Sequence, residues 1–209
     1  MPAYSNLLIL LFATILAYLI GGMPFGYWLV RLTTGQDIRK VGSGNIGATN
    51  VHRTVGRKAG IMVLILDILK GFVAVWLAAQ FTHDSVLAVA LAAVAVMIGH
   101  CYPVFLGFKG GKAVACFIGA FLYLAPLALA AIVPVFFAIV ALSKYISLGS
   151  ILGALIFPAL VWLIGPHSPE ILNASLGASL LIVYRHVANI SRLLTGRENK
   201  FSLKGGSAP

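Results

Sequence analysis

The chain has 209 residues, of which 60% are hydrophobic and only 10% are charged, and its mean hydropathy is +1.00. Soluble domains are about 45–50% apolar and about 25% charged, so this chain has too few charges to cover a water-facing surface. The composition argues against a soluble enzyme, excludes a disordered chain and predicts a polytopic helical membrane protein. Its net charge of +10 indicates Lys- and Arg-rich cytoplasmic loops or anionic ligands.

Apolar runs and polar connectors alternate along the chain. The runs cover residues 7 to about 32, 59–81, 86–105, 113–143, 148–164 and 171 to about 194. Most are long enough to cross a bilayer as a helix. Pro24 follows Gly21 and Gly22 inside the first run, so we expect a break there, with neighbouring helices satisfying the freed backbone groups.

The run 113–143 decides the topology, because its 31 residues could form one helix or two. If it crosses once, Lys144 and the basic tail after residue 194 lie outside. If it turns near residues 123–126 and crosses twice, nearly every Lys and Arg lies on the cytoplasmic side, as the distribution of positive charge in membrane proteins favours. We therefore predict a compact all-α bundle of seven transmembrane helices, N-terminus outside and C-terminus cytoplasmic. The segment 113–124 spans only about 18 Å, so it must be short, buried among its neighbours, or matched to a locally thin bilayer.

The first polar cluster, residues 41–53, reads VGSGNIGATNVHR. Turned, glycine-rich backbone can point N–H groups at an anion, and Arg53 can add a bidentate fork for a phosphate. The alternative is a tight loop that only carries positive charge. The candidate ligand-binding residues here are Gly42, Gly44, Asn45, Thr49 and Asn50.

The second cluster, residues 99–112, ends in Lys109-Gly110-Gly111-Lys112 directly before a predicted helix. Glycine amides, a helix N-terminus and two ammonium groups resemble a phosphate cradle. The pattern GxxxxGK[ST] is missing, so nucleotide hydrolysis is disfavoured. A basic connector is the alternative interpretation.

Two further clusters contain hydroxyl and amide groups. Ser147 and Ser150 begin a helix, where they serve as caps or as ligands of a substrate. His186 and Asn189 are three residues apart on the last helix and share a face. They could act as a substrate clamp, or His186 could interact only with the helix dipole.

Asp67 and Lys70 stand apart, at positions i and i+3 within the second run. We expect a structural ion pair, although Asp67 is also the one acidic residue within a predicted span that could act as a base. The few acidic residues form no cluster, and no zinc-binding motif is present. We therefore predict no metal and no cofactor.

Taken together, these motifs resemble the bacterial acyl-phosphate-dependent glycerol-3-phosphate acyltransferases of the PlsY type. The matching stretches run from about residue 16 to residue 198 in the family order: GGMPFGYWLVRL, DIRKVGSGNIGATNVHRTVGRKAG, LDILKG, GHCYPVFLGFKGGK, SLGS and RHVANISRLLTGRE. The family fold is a seven-helix bundle with the N-terminus outside. The resemblance therefore implies a single acyltransferase domain over residues 1–198 and a short basic cytoplasmic tail over residues 199–209.

The resemblance also implies the reaction: acyl transfer from acyl phosphate to the 1-hydroxyl of glycerol 3-phosphate, giving lysophosphatidic acid and inorganic phosphate in bacterial phospholipid synthesis. The residues carried over to the reaction centre are Ser43, Arg53, Lys112, His186 and Asn189. Ser147 and Ser150 are carried over as further substrate ligands. The implied partners are the two substrates and membrane lipid, and no nucleic acid is expected. The resemblance also implies a monomer in the bacterial cytoplasmic (inner) membrane, with its active site facing the cytoplasm.

Two positions depart from the family pattern, which usually reads KGGKG followed by V-A-T. Here Ala113 replaces a glycine and Cys116 replaces a hydroxyl residue, and both bear on the donor-phosphate contacts. The main rival function is an anion or phosphate transporter, which would need polar groups along a path to the outside. A lipid-binding structural protein would not need the GSGN and KGGK motifs together.

Overall fold

The computed structural model describes residues 3–201, and these residues are helical, with no strand among them. The last eight residues of the expected tail, 202–209, lie outside the described part. The α-helices are α1 (Ala3–Gly22), α2 (Phe25–Thr34), α3 (Ala48–Thr54), α4 (Arg57–Thr82), α5 (Val86–Cys101), α6 (Val114–Leu124), α7 (Pro126–Ser143), α8 (Ile146–Ile164), α9 (Pro169–Arg185) and α10 (Val187–Leu194). Two 3₁₀ turns cover Ile38–Lys40 and Val104–Leu106.

Five segments are long and apolar enough to cross a membrane, and a sixth is present if α9 and α10 form one bent span. They begin with α1 and α2 taken together and include α4, α5, α7 and α8. The helix α6 has 11 residues, about half the length that a bilayer core requires. The all-helical fold is thus confirmed, whereas the seventh crossing and the orientation of the termini stay predictions.

The breaks expected at Pro24 and near residues 123–126 are present, whereas Pro134 and Pro158 lie inside the continuous helices α7 and α8. The first run is interrupted between Gly22 and Phe25, at Pro24. The run 113–143 divides at Ala125, so that Pro126 begins α7 at a position where proline is well tolerated. A further break, which no proline marks, bends the last run by 55° at His186.

Small residues allow α1 and α5 to approach each other closely. A methyl group on Gly21 would overlap the backbone carbonyl of Val96 on α5, and one on Gly99 would overlap that of Tyr18 on α1. Each helix therefore presents a glycine to the backbone of the other, which is typical of packing between membrane helices.

The same reciprocal arrangement joins α4 and the short helix α6. Gly71 of α4 lies against the carbonyl of Cys116, and Gly119 of α6 lies against that of Ile68. On another face of α6, Phe117 packs on Phe157 of α8 with ring centroids 4.7 Å apart. The helix α6 is consequently largely buried among its neighbours, which was one of the alternatives expected for so short a segment.

Candidate active site

The loop that leads into α3 is shaped by two glycines and one asparagine. Gly42 and Gly44 have φ angles of +59° and +70°, in the left-handed region that favours glycine. Asn50, which is 1% exposed, accepts from the amide of Ser43 at 2.9 Å and donates to the carbonyls of Val41 and Asn45 at 3.0 and 2.9 Å. The Asn50 amide is thus used by the loop itself, and its contribution here is to fix the loop's shape.

The remaining candidates of this loop lie at its surface. Ser43 is exposed, while Asn45 and Thr49 are half-buried. The side chain of Asn45 accepts from the amide of Gly47 at 2.8 Å. Ser43 is therefore the residue of this loop whose side chain is most open to a ligand.

The segment Gly110–Gly111 is bonded on both sides. Its amides donate to the carbonyls of Cys101 and His100 at 3.1 and 2.9 Å, and its carbonyls accept from Arg185 at 3.1 and 3.0 Å. The sequence predicts that these two amides bind phosphate, but in this structure they are already paired. Lys112 is the part of the motif that points away from these bonds, toward another polar side chain.

Lys112 lies at the centre of a polar cluster formed by residues far apart in sequence. Its Nζ donates to the Oδ1 of Asn189. Asn189 in turn donates to the Oε1 of Glu198 at 2.8 Å, and that oxygen also accepts from Ser147 Oγ at 3.0 Å. The loop before α6, the start of α8 and helix α10 therefore meet around one carboxylate.

Glu198 is the residue of this cluster that motif analysis did not single out. Its carboxylate also pairs with Arg192 Nε at 2.8 Å, and the carbonyl of the next residue, Asn199, accepts from Arg53 at 3.4 Å. Burial opposes the charge of Glu198, but the bonds from Asn189, Arg192 and Ser147 outweigh it and hold the pKa of the carboxyl below its usual value. The signal in the sequence that could have identified Glu198 is that it is the one acidic residue among the basic residues of the stretch RHVANISRLLTGRE.

Electrostatics at this end of the bundle are dominated by positive charge. Burial lowers the pKa of Lys112 to about 8; Glu198 opposes this shift, whereas Arg192, Arg185 and Arg53 add to it. Four cationic side chains thus influence one another around a single carboxylate. Such an arrangement is suited to binding a further anion with several negative charges.

His186 lies at the break between α9 and α10, beside this cluster. It is buried, and its Nδ1 contacts the carbonyl of Ile182 at 2.8 Å. If that nitrogen carries the proton, Nε2 remains an acceptor. The ring is therefore held by its own helix and can present one free nitrogen.

Not all of the expected residues join the cluster. Arg53, Lys112, Ser147 and Asn189 are brought together, with His186 beside them. Lys109 is exposed, and Ser150 Oγ donates back to the carbonyl of Ile146 at 2.9 Å within its own helix. Their roles as substrate ligands stay predictions.

The expected ion pair within the second span is confirmed, with Lys70 Nζ 2.8 Å from Asp67 Oδ1. Asp67, His100 and Cys116 also place potential metal-ligand atoms within 4.8 Å of one another. The ammonium group of Lys70 already balances the carboxylate there and donates to the carbonyl of Met23 at 2.8 Å. A divalent cation would therefore have to compete with Lys70 for the same carboxylate.

The departure from the family pattern at residue 113 has a backbone consequence. Ala113 has a φ of +58°, in the region where a residue with a β-carbon costs about 1–2 kcal/mol. It is 1% exposed and directly follows Lys112. The backbone turn that a glycine would make easily is thus kept here with an alanine.

Comparison with known proteins identifies the family. The sequence model of the glycerol-3-phosphate acyltransferases matches residues 11–196. The glycerol-3-phosphate acyltransferase of Syntrophotalea carbinolica is 48% identical over 185 residues, covering 88% of this chain and 94% of the relative. That of Trichlorobacter lovleyi is also 48% identical over 185 residues, with the same coverage of both chains.

Solved structures show the same fold. The crystal structure of PlsY (YgiH), an integral membrane glycerol 3-phosphate acyltransferase, in its glycerol 3-phosphate form has a TM-score of 0.86 and 41% identity, covering 92% of this chain and 96% of that one. Its lysophosphatidic acid form gives a TM-score of 0.84 and 38% identity, covering 93% and 96%. The chain therefore belongs to the glycerol-3-phosphate acyltransferase family and is an integral membrane acyltransferase, not a transporter.

Proposed function

We propose that this protein transfers a fatty acyl group from acyl phosphate to the 1-hydroxyl of glycerol 3-phosphate, releasing lysophosphatidic acid and inorganic phosphate. The observation that carries the proposal is the convergence of Arg53, Lys112 and Arg192 with Ser147 and Asn189 at one end of the bundle. Both substrates bear phosphate, and a cluster of cations with adjacent hydrogen-bonding groups is suited to hold them.

The reaction is a single displacement. The hydroxyl oxygen of glycerol 3-phosphate attacks the acyl carbonyl carbon, the bond between that carbon and the phosphate oxygen breaks, and phosphate leaves with the electron pair. A phosphate oxygen of the acyl phosphate accepts the hydroxyl proton, because Glu198, the carboxylate of the cluster in the described residues, is already paired with Ser147, Asn189 and Arg192. The free nitrogen of His186 is the alternative acceptor, and a loss of kcat below about pH 6.5 that disappears in a His186 variant would assign the base to it. Ser43, Arg53 and Lys112 orient and stabilise that phosphate, and His186 and Asn189 bind glycerol 3-phosphate.

The test uses purified protein with palmitoyl phosphate and glycerol 3-phosphate, and it measures phosphate release. We expect turnover that depends on both substrates and that does not occur with acyl-CoA in place of acyl phosphate. Robust turnover with acyl-CoA would overturn the donor assignment. A rapid-quench experiment with labelled acyl phosphate alone should show no acyl-enzyme, and one that vanished in Ser43→Ala would overturn the single displacement.

The topology belongs to the same proposal: seven crossings in the bacterial inner membrane, with α6 and α7 as separate spans and the site facing the cytoplasm. A functional monomer is part of the same proposal. Single cysteines at positions 84, 110 and 144 test this arrangement. Position 84 should be labelled from outside, and the other two only after permeabilisation; labelling of position 144 from outside would exclude two crossings.

A further inference from the structure

Arg185 contacts the KGGK motif, residues 109–112, but has no role in the proposed reaction. Its Nε donates to the carbonyl of Gly111 at 3.0 Å and its Nη2 to that of Gly110 at 3.1 Å. The fixed fork of a guanidinium suits two neighbouring carbonyls, and a lysine cannot reproduce it. The guanidinium also lies over the ring of Tyr102, 5.0 Å from its centroid, which restricts its own position.

The opposite side of the same segment is held by the end of α5. The carbonyls of His100 and Cys101 accept the two glycine amides. A methyl group on Gly111 would overlap the ring of His100, and one on Gly110 would overlap backbone carbonyls of α5. The glycines are therefore required for close packing between α5 and Arg185, and all four backbone groups of the segment are paired.

Lys112 follows this clamped segment directly, so its Cα position is set by the clamp. Its Nζ reaches Asn189, which lies on α10, four residues after Arg185 and beyond the break at His186. The same stretch of chain thus holds the loop before Lys112 and receives the Lys112 side chain. A shift of the loop relative to α9 would separate these two contacts.

We propose that Arg185 is a positioning residue of the acyltransferase: it clamps the carbonyls of Gly110 and Gly111 and thereby places the Lys112 ammonium group at the substrate phosphate. The proposal rests on the proposed function, since it concerns the same site. Arg185 does not itself bind substrate in this assignment; it acts through Lys112.

A double-mutant cycle separates positioning from direct substrate binding. Arg185→Lys keeps the charge but loses the fork, and it should lower kcat/KM by about 10- to 100-fold, the cost of misplacing a reacting group by about 1 Å. In a Lys112→Gln background, measured at high enzyme concentration, the same change should cost less than about twofold, because the residue through which it acts is absent. Losses that multiply would overturn the proposal.

A matched control is Arg31→Lys, since Arg31 also donates to a backbone carbonyl, that of Gly35, at an exposed position. It should leave kcat/KM unchanged. Gly111→Ala is a second variant, for use if Arg185→Lys does not yield monodisperse protein. Its methyl group would displace the same segment by overlapping the ring of His100. It too should lose its effect in the Lys112→Gln background, and an undiminished effect there would contradict the proposal.

The outcomes distinguish this inference from the proposed function. Absence of phosphate release by the wild-type protein with both substrates would reject the proposed function itself. Normal turnover by wild type together with wild-type kcat/KM in Arg185→Lys would reject only the positioning role.

Discussion

The charge of Lys112 should set an upper pH limit on activity. Its pKa is lowered to about 8, chiefly by burial, so the ammonium form predominates below pH 8 and is lost as the pH rises through it. About nine tenths of the lysine is charged at pH 7 and about one tenth at pH 9. If only the charged form stabilises the substrate phosphate, kcat/KM should fall about tenfold between these two values.

Substrate ionisation does not produce the same limit. The second pKa of a phosphate monoester is about 6, so glycerol 3-phosphate is already doubly charged before Lys112 titrates. The assay is phosphate release from pH 6.5 to 10, corrected at each pH for spontaneous hydrolysis of palmitoyl phosphate without protein.

Two variants assign the limit to Lys112. In Lys112→Arg the guanidinium stays charged throughout, so the fall above pH 8 should disappear even if overall activity is lower. In Glu198→Gln the carboxylate that supports the charge of Lys112 is removed, and the limit should move to lower pH. Lys58→Gln removes an exposed lysine at the start of α4 and should leave the upper pH limit of activity unchanged. A fall at the same pH in Lys112→Arg would refute the reasoning.

Three other results are expected. Arg53→Ala and Lys112→Ala should each lower activity by at least about 100-fold in the phosphate-release assay, the scale of losing one preorganised charge-stabilising donor; near-wild-type turnover of both folded variants would remove them from the site. Gly119→Ala, whose methyl group would overlap the carbonyl of Ile68, should destabilise the fold by about 1–3 kcal/mol and lower the thermal midpoint. Gly177→Ala is the control, because the nearest neighbour of the added methyl group is 4.0 Å away at Val94, and it should leave the thermal midpoint unchanged. Equal midpoints for Gly119→Ala and Gly177→Ala would contradict the packing argument. EDTA should leave turnover unchanged; loss of activity that Mg²⁺ restores would show a metal requirement.

Much of the fold could be predicted because hydropathy and proline act locally. The apolar runs correspond to the helices within a few residues, and the breaks at Pro24 and before Pro126 follow from what proline does to a helix. The break at His186 could not be predicted in this way, since residues 184–188 contain neither proline nor glycine. In the structure it places Asn189 and Arg192 of α10 in the polar cluster.

The candidate site was predictable as a set of motifs but not as a set of contacts. Lys112 and Asn189 were identified separately, and only the fold shows that they meet. Glu198 lies in the matching stretch but has no role predicted from the sequence, because its partners Ser147, Asn189 and Arg192 meet it only in the folded chain. Asn50 was expected to meet a ligand, whereas burial commits its amide to the loop. In each case the deciding information is which polar groups are already paired, and that depends on residues far away in sequence.

The shortness of α6 has a consequence for how the two reactants reach each other. With α6 crossing as proposed, its 11 residues account for only about 17 Å of a hydrocarbon core about 30 Å thick. Lys112, two residues before the helix begins, would then lie below the level of the lipid headgroups. A water-soluble acceptor would have to descend into a hydrated recess, while a donor anchored by its acyl chain would need only to slide in sideways from the surrounding leaflet. The acceptor and the donor would therefore meet within the hydrocarbon core, the acceptor arriving from the aqueous side and the donor from the lipid side.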